Sequence, residues 1–167
     1  TCETALAEAE VEYEDRTDTS VYVAFPIETS AFTHPTSLVV WTTTPWTLPA
    51  NVALCVSPHA TYEVLEVEGR SEHLVVVADQ VKNLSSWLTP KRVVARKPGK
   101  EFNGFRCRAP FGERSSIVVT DETVDLETGT GIIHIAPGHG QEDYLIGQRE
   151  HLDVLSPVDH QGRFTSD

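Results

Sequence analysis

The sequence predicts a mainly β domain with a few short helices, an α+β fold whose strands build a barrel-like core. Three observations carry that expectation. Short runs with period-2 or continuous β-branched character recur along the chain, turn residues separate them, and 167 residues with 40% hydrophobic content suffice for one compact domain.

The runs, in order, are VYVAF (21–25), SLVVWTT (37–43), VALCV (52–56), YEVLEV (62–67), HLVVVA (73–78), RVVAR (92–96), FRCRA (105–109), SIVVT (116–120) and GIIHIA (131–136). Glu68-Gly69-Arg70-Ser71, Lys97-Pro98-Gly99-Lys100 and Asp159-His160-Gln161-Gly162 supply turn chemistry between or beyond them. Two segments break the pattern. Asp79 can cap a short helix through Leu88, stopped by Thr89-Pro90, and the stretch from about Gln141 to Leu152 reads as a helix with Glu142 and Asp143 in its first turn. No repeat, linker or low-complexity segment interrupts residues 1–167, which read as a single domain.

Thirteen Lys and Arg against 25 Asp and Glu give a formal charge of −12. That sign is wrong for a free-standing nucleic-acid binder, because phosphates reward clustered cations. Any RNA handled by this chain must be held mostly by something else. The cations present gather in Lys91, Arg92, Arg96, Lys97 and Lys100 and in Arg106, Arg108 and Arg114, which suits either a backbone contact or a solvated face. Cys2, Cys55 and Cys107 are odd in number and far apart, so reduced thiols fit better than a disulfide framework or a structural zinc site. No run approaches the ~18 apolar residues of a membrane span, and the start lacks a signal-peptide pattern. A cytoplasmic monomer is expected, and the opening without Met and the polar end QGRFTSD fit a domain excised from a longer chain.

Chemistry concentrates in two segments. In WTTTPWTLPAN (41–51) a β-branched strand runs into Pro45 and Pro49, and three successive threonines cannot all face the core because strand side chains alternate. Proline holds the backbone there extended and sharply turned, giving a ledge that presents hydroxyls and unpaired amide N–H groups. In TGTGIIHIAPGHGQEDY (128–144) a strand carrying His134 leaves through Pro137 and crosses Gly138-His139-Gly140 into the helix that holds Asp143. Glycines allow close backbone approach, and strand-to-helix crossings are usual ligand sites. A carboxylate in a first helical turn is also favoured by the helix dipole alone.

Together, WTTTPWTLPAN and GTGIIHIAPGHGQEDY resemble the threonine-rich and Gly-Thr-Gly signatures of the CP1 insertion, the editing domain of isoleucyl-tRNA synthetases. VYVAF, NVALCVSPHATYEVL and SPVDHQGRF extend the resemblance over most of the chain. Leucyl and valyl enzymes typically read Thr-Thr-Arg-Pro where this chain has Thr43-Thr44 before Pro45, and Met or Lys where it has His134. The synthetic site's HIGH and KMSKS signatures are absent, so the resemblance does not reach amino-acid activation.

The resemblance implies hydrolysis of valine from the 3′ end of tRNA(Ile), or of valyl-adenylate, with no cofactor and no metal. Residues about 1–20 and 155–167 would then connect to the rest of the synthetase chain. The implied site comprises Thr42, Thr43, Thr44 and Trp46, with Asn51 nearby and His134 and Asp143 opposite. Asp143 is the natural partner of the substrate's α-ammonium group. The threonines, with no adjacent base, position a water and the terminal ribose; His134 forms the wall that excludes isoleucine or, by its chemistry, acts as a general base. Such a site answers an energetic need. One methylene is worth only about 1–3 kcal/mol to a synthetic pocket, a limit for which this very family is the usual illustration. Two other readings of the same residues are a metal-dependent hydrolase using His134, His139 and Asp143, and a non-catalytic β-barrel binding module.

Overall fold

The computed structural model describes residue 17 and residues 19–165. Cys2 and most of the expected N-terminal connection lie outside the described residues. Among the described residues nine strands form: β1 (Val21–Pro26), β2 (Thr36–Thr42), β3 (Ala53–Val56), β4 (Thr61–Val67), β5 (His73–Val77), β6 (Pro90–Pro98), β7 (Arg106–Arg108), β8 (Ser115–Thr120) and β9 (Ile132–Ile135). Each falls on a run expected to be a strand. An α-helix, α1 (Gln141–Arg149), follows β9.

The strands do not close into a barrel. They make a five-stranded sheet in the order β1-β2-β5-β4-β6 and a four-stranded sheet in the order β7-β8-β3-β9. Most neighbours are antiparallel, but β2 and β5 run parallel, as do β3 and β8. An isolated bridge between Ile27 and Cys107 links the two sheets at one corner.

Strand alternation sorts the apolar residues into three layers. Leu38, Val40, Val75 and Val77 meet Leu54, Val56, Val118 and Ile132 between the sheets. Val39, Leu74 and Val76 face the other way, under Leu84 and Leu88. Ala53, Cys55 and Ile135 point outward from the four-stranded sheet and are covered by Ile146 of α1. Covered on both faces, these strands read as continuous apolar runs, not as alternating ones. Burial raises both thiols, Cys55 and Cys107, to about 12, which keeps them protonated.

The expected helix over 79–88 is instead two 3₁₀ turns, Ala78–Gln80 and Asn83–Ser86. Gln80 turns inward to donate to Leu126 O at 2.8 Å and accepts from Asn83 Nδ2 at 2.9 Å. Those side-chain bonds hold the segment down where a regular helix would turn Gln80 away. Three of the four cations of β6 are held in ion pairs. Arg92 pairs with Glu66, Arg96 with Glu63 and Lys97 with Glu101, at 2.6, 2.8 and 2.6 Å, so the strand is largely neutralised within the protein.

Candidate active site

The chain leaves β2 through Thr42, Thr43 and Thr44 and turns at once into a 3₁₀ helix, Pro45–Ala50, that carries it from one sheet to the other. Proline suits this place because its fixed φ matches the first helical residue and its missing N–H has no helical partner there. The ledge is thus a tight helical turn, not extended backbone. Its amides are not all unpaired either: Thr44 N donates to Thr42 Oγ1 at 3.1 Å and Thr47 N to Thr44 O at 3.1 Å.

Opposite it, the Gly-Thr-Gly turn feeds β9. Gly129 and Gly131 take positive φ of 64° and 68°, and a Cβ on Gly131 would lie 2.6 Å from the Val77 side chain. Only glycine fits there. Val77 N donates to Thr130 O at 2.9 Å, and the buried Tyr62 hydroxyl donates to Gly131 O at 2.6 Å, so the entry to β9 is pinned from two strands. At the exit, Asp143 Oδ2 accepts from Ala136 N at 2.8 Å, tying the first turn of α1 to the end of β9.

These elements enclose a cavity of about 320 Å³ lined by Thr42, Thr44, Thr47, His134, His139 and Asp143, with Trp41, Ile133, Gly140 and Glu142 completing it. That volume lies within the usual range for small-molecule sites. Thr42 and Thr44 place their hydroxyls 3.3 Å apart. Asp143 spends Oδ2 on Ala136 and makes no hydrogen bond through Oδ1 among the described residues. His134 is half-buried, with Nε2 3.0 Å from Thr47 Oγ1 and Nδ1 buried without a partner. Burial lowers the His134 pKa below the ordinary imidazole range; the Asp143 charge opposes this and His139 adds to it. A neutral imidazole follows.

Of the residues the sequence singles out, Thr42, Thr44, His134, His139 and Asp143 come together. Thr43 does not join them. It lies just past the end of β2 and lines an adjoining cavity of about 270 Å³ with Asp125, Thr128 and the Gly-Thr-Gly turn, which Thr42 also borders. Trp46 is 62% exposed and faces a third recess shared with His139 and Phe164. Asn51 is placed differently from its expected position beside the substrate. Only 1% exposed, it donates from Nδ2 to Ala53 O at 2.8 Å and accepts from the Ser116 hydroxyl, so its side chain joins β3 to β8 inside the protein.

Thr47 and Trp41 are cavity residues that the sequence reading omits. The signal for Thr47 was Pro45 itself: read as the start of a 3₁₀ turn, it puts residues three apart on one side, so Thr47 falls with Thr44. Among the described residues no three His, Cys, Asp or Glu side chains converge to hold a metal ion, so His134, His139 and Asp143 share a cavity without forming a ligand set.

Several solved editing domains resemble this fold. The P. knowlesi cytosolic leucyl-tRNA synthetase editing domain superposes with a TM-score of 0.69 at 11% identity, over 84% of this chain and 67% of that one. The crystal structure of GlLeuRS-CP1 gives 0.64 at 18% identity, over 78% and 59%. The P. falciparum counterpart gives 0.63 at 13%, over 71% and 48%. The protein therefore has the CP1 editing fold of aminoacyl-tRNA synthetases.

Sequence narrows the class. No family model matches the chain. It is 48% identical to the isoleucine–tRNA ligase of Moorella thermoacetica, 47% to that of Desulforudis audaxviator and 45% to that of Desulfitobacterium hafniense, each over 99% of this chain. The chain spans 18% of the length of these relatives. Over that segment it is similar to isoleucine–tRNA ligases throughout its length.

Proposed function

We propose that this chain is the proofreading hydrolase of an isoleucine–tRNA ligase, cleaving valine from the 3′ end of tRNA(Ile), with valyl-adenylate as a second substrate of the same chemistry. The observation that carries the reading is the cavity between the β2 turn and the β9–α1 crossing. It brings one free carboxylate oxygen, two adjacent hydroxyls and a neutral imidazole together in a segment whose relatives bear that ligase name.

Each group has a task. Asp143 Oδ1 receives the α-ammonium group, which every aminoacyl ester carries, through a charge-assisted hydrogen bond. Thr42 and Thr44 orient a water and the terminal ribose. The water oxygen adds to the ester carbonyl, the bond from the carbonyl carbon to the ribose oxygen breaks, and the proton lost by the water ends on that ribose oxygen. Free valine and uncharged tRNA result. Donors already aimed at the developing oxyanion lower the barrier without reorganising. His134 is the wall that admits valine and stops isoleucine, a role supported by its neutral, desolvated state. Thr43 and Trp46, on the flanking recesses, contact the nucleotide side of the substrate.

The tRNA body is held by the rest of the ligase, to which residues about 1–20 and 155–167 connect. The paired cations of β6 and the charge of −12 support that division. None of the described helices is long and apolar enough to cross a membrane, and a cytoplasmic location accords with the proposal. The test is side-by-side hydrolysis of valyl- and isoleucyl-tRNA(Ile) by this chain, with and without EDTA. Cleavage of the valyl ester, sparing of the isoleucyl ester and indifference to EDTA are expected, with saturation only at high tRNA concentration. No valyl cleavage above the spontaneous rate would leave a binding module, and loss in EDTA restored by zinc would indicate a metal hydrolase.

A further inference from the structure

Thr47 sits between the two halves of the cavity. Its hydroxyl carries a single hydrogen, which it donates to Thr44 O at 2.9 Å. Toward His134 Nε2, 3.0 Å away, Oγ1 can therefore only accept, so Nε2 must bear the ring's proton. A neutral imidazole has one N–H. Nδ1 is then a bare lone pair, and that atom is the buried side-chain nitrogen or oxygen left without a partner among the described residues. The opposite tautomer would put an N–H at Nδ1 with nothing to receive it, and would turn the Thr47 hydrogen away from Thr44 O.

We propose that Thr47 is a positioning residue that fixes His134 as the Nε2–H tautomer in one orientation, which makes the imidazole a rigid wall and denies it the role of general base. This rests on the proofreading reading above. The only lone pair on the ring is buried and cannot reach a water in the cavity, while Nε2 already holds a proton and spends it on Thr47. A histidine so held cannot take a proton from an attacking water. It can present the same surface to every acyl group, which is what discrimination by one methylene demands. The Thr44 carbonyl at the other end of the chain of bonds belongs to the turn that carries the substrate-orienting hydroxyls, so wall and ledge keep a fixed separation.

The test reads the ring directly. In this chain labelled with ¹⁵N histidine, long-range ¹H–¹⁵N spectra at neutral pH should show His134 as a single species protonated at Nε2. Thr47→Val, similar in shape but without a hydroxyl, should give the averaged pattern of two tautomers; Thr47→Ser should restore the single species. The ratio of valyl- to isoleucyl-tRNA hydrolysis should fall about tenfold in Thr47→Val, toward the value for His134→Ala, and recover in Thr47→Ser. A wild-type ring protonated at Nδ1 overturns the proposal, even if Thr47→Val does not fold. So does a Thr47→Val protein that keeps the Nε2–H tautomer, or one that loses both hydrolyses equally. Absence of any hydrolysis by the wild type would refute the proofreading reading instead, and the ring spectrum would still decide the tautomer.

Discussion

Residues 41–51 contribute polar side chains to two places that differ in how completely their hydrogen bonds are used. Asn51 lies inside, donating to Ala53 O and accepting from Ser116, so both ends of its amide are consumed by the protein. Thr42, Thr44 and Thr47, with His134 and Asp143 opposite, line the cavity and keep capacity in hand: one Asp143 oxygen and the paired Thr42 and Thr44 hydroxyls have bonds left to give a ligand. A buried polar group with every bond filled stabilises a fold. Groups with unfilled capacity facing a cavity are arranged for a substrate. Residue type alone does not separate the two.

The comparison breaks most visibly at Asp143. Replacing it with Asn keeps an oxygen for Ala136 N but removes the charge that the α-ammonium needs. Hydrolysis of every aminoacyl ester should fall on the order of ten- to a hundredfold, the effect of the about 1.5–3 kcal/mol of a charged hydrogen bond. Loss of the charge from the first turn of α1 should cost no more than about 1 kcal/mol of stability. Single-turnover deacylation and urea unfolding measure the two; a large stability loss with a small rate effect would make Asp143 a structural cap.

Asn51→Ala should show the reverse signature. It leaves the Ser116 hydroxyl and the Ala53 carbonyl short of a partner inside the protein, at a cost of about 1–3 kcal/mol of stability. Any fall in hydrolysis should accompany that loss. A variant as stable as the wild type but inactive would return Asn51 to the substrate site.

The smallest effect concerns pH and His134. Its folded pKa is lowered, chiefly by burial, so the unfolded chain takes up the proton first as pH falls. The sign follows from linkage: this contribution to stability is fully present above the ordinary histidine value of about 6.5 and is lost as pH drops from there through the lower folded value. The urea midpoint should therefore fall more between pH 7.5 and pH 5.5, two roughly chosen points about that value, in the wild type than in His134→Asn. Equal falls would show that His134 is not desolvated.

Much of this protein was legible in its sequence. The nine strands of the described residues follow from local period-2 or β-branched runs between turn residues, and α1 from its acidic first turn, because alternation and capping act over a few residues. Asp143, His134, Thr42 and Thr44 could be singled out because their segments carry proline and glycine at places where backbone geometry is restricted. The sheet arrangement was not legible. Whether nine strands close into a barrel or divide into two sheets depends on the parallel pairings β2–β5 and β3–β8, which join distant strands through long crossovers. For the same reason only the tertiary structure put Asn51 inside with Ser116, and brought Thr47 to His134 across 87 residues of sequence. Composition names the groups that can make such bonds; the packing of the two sheets decides which of them meet.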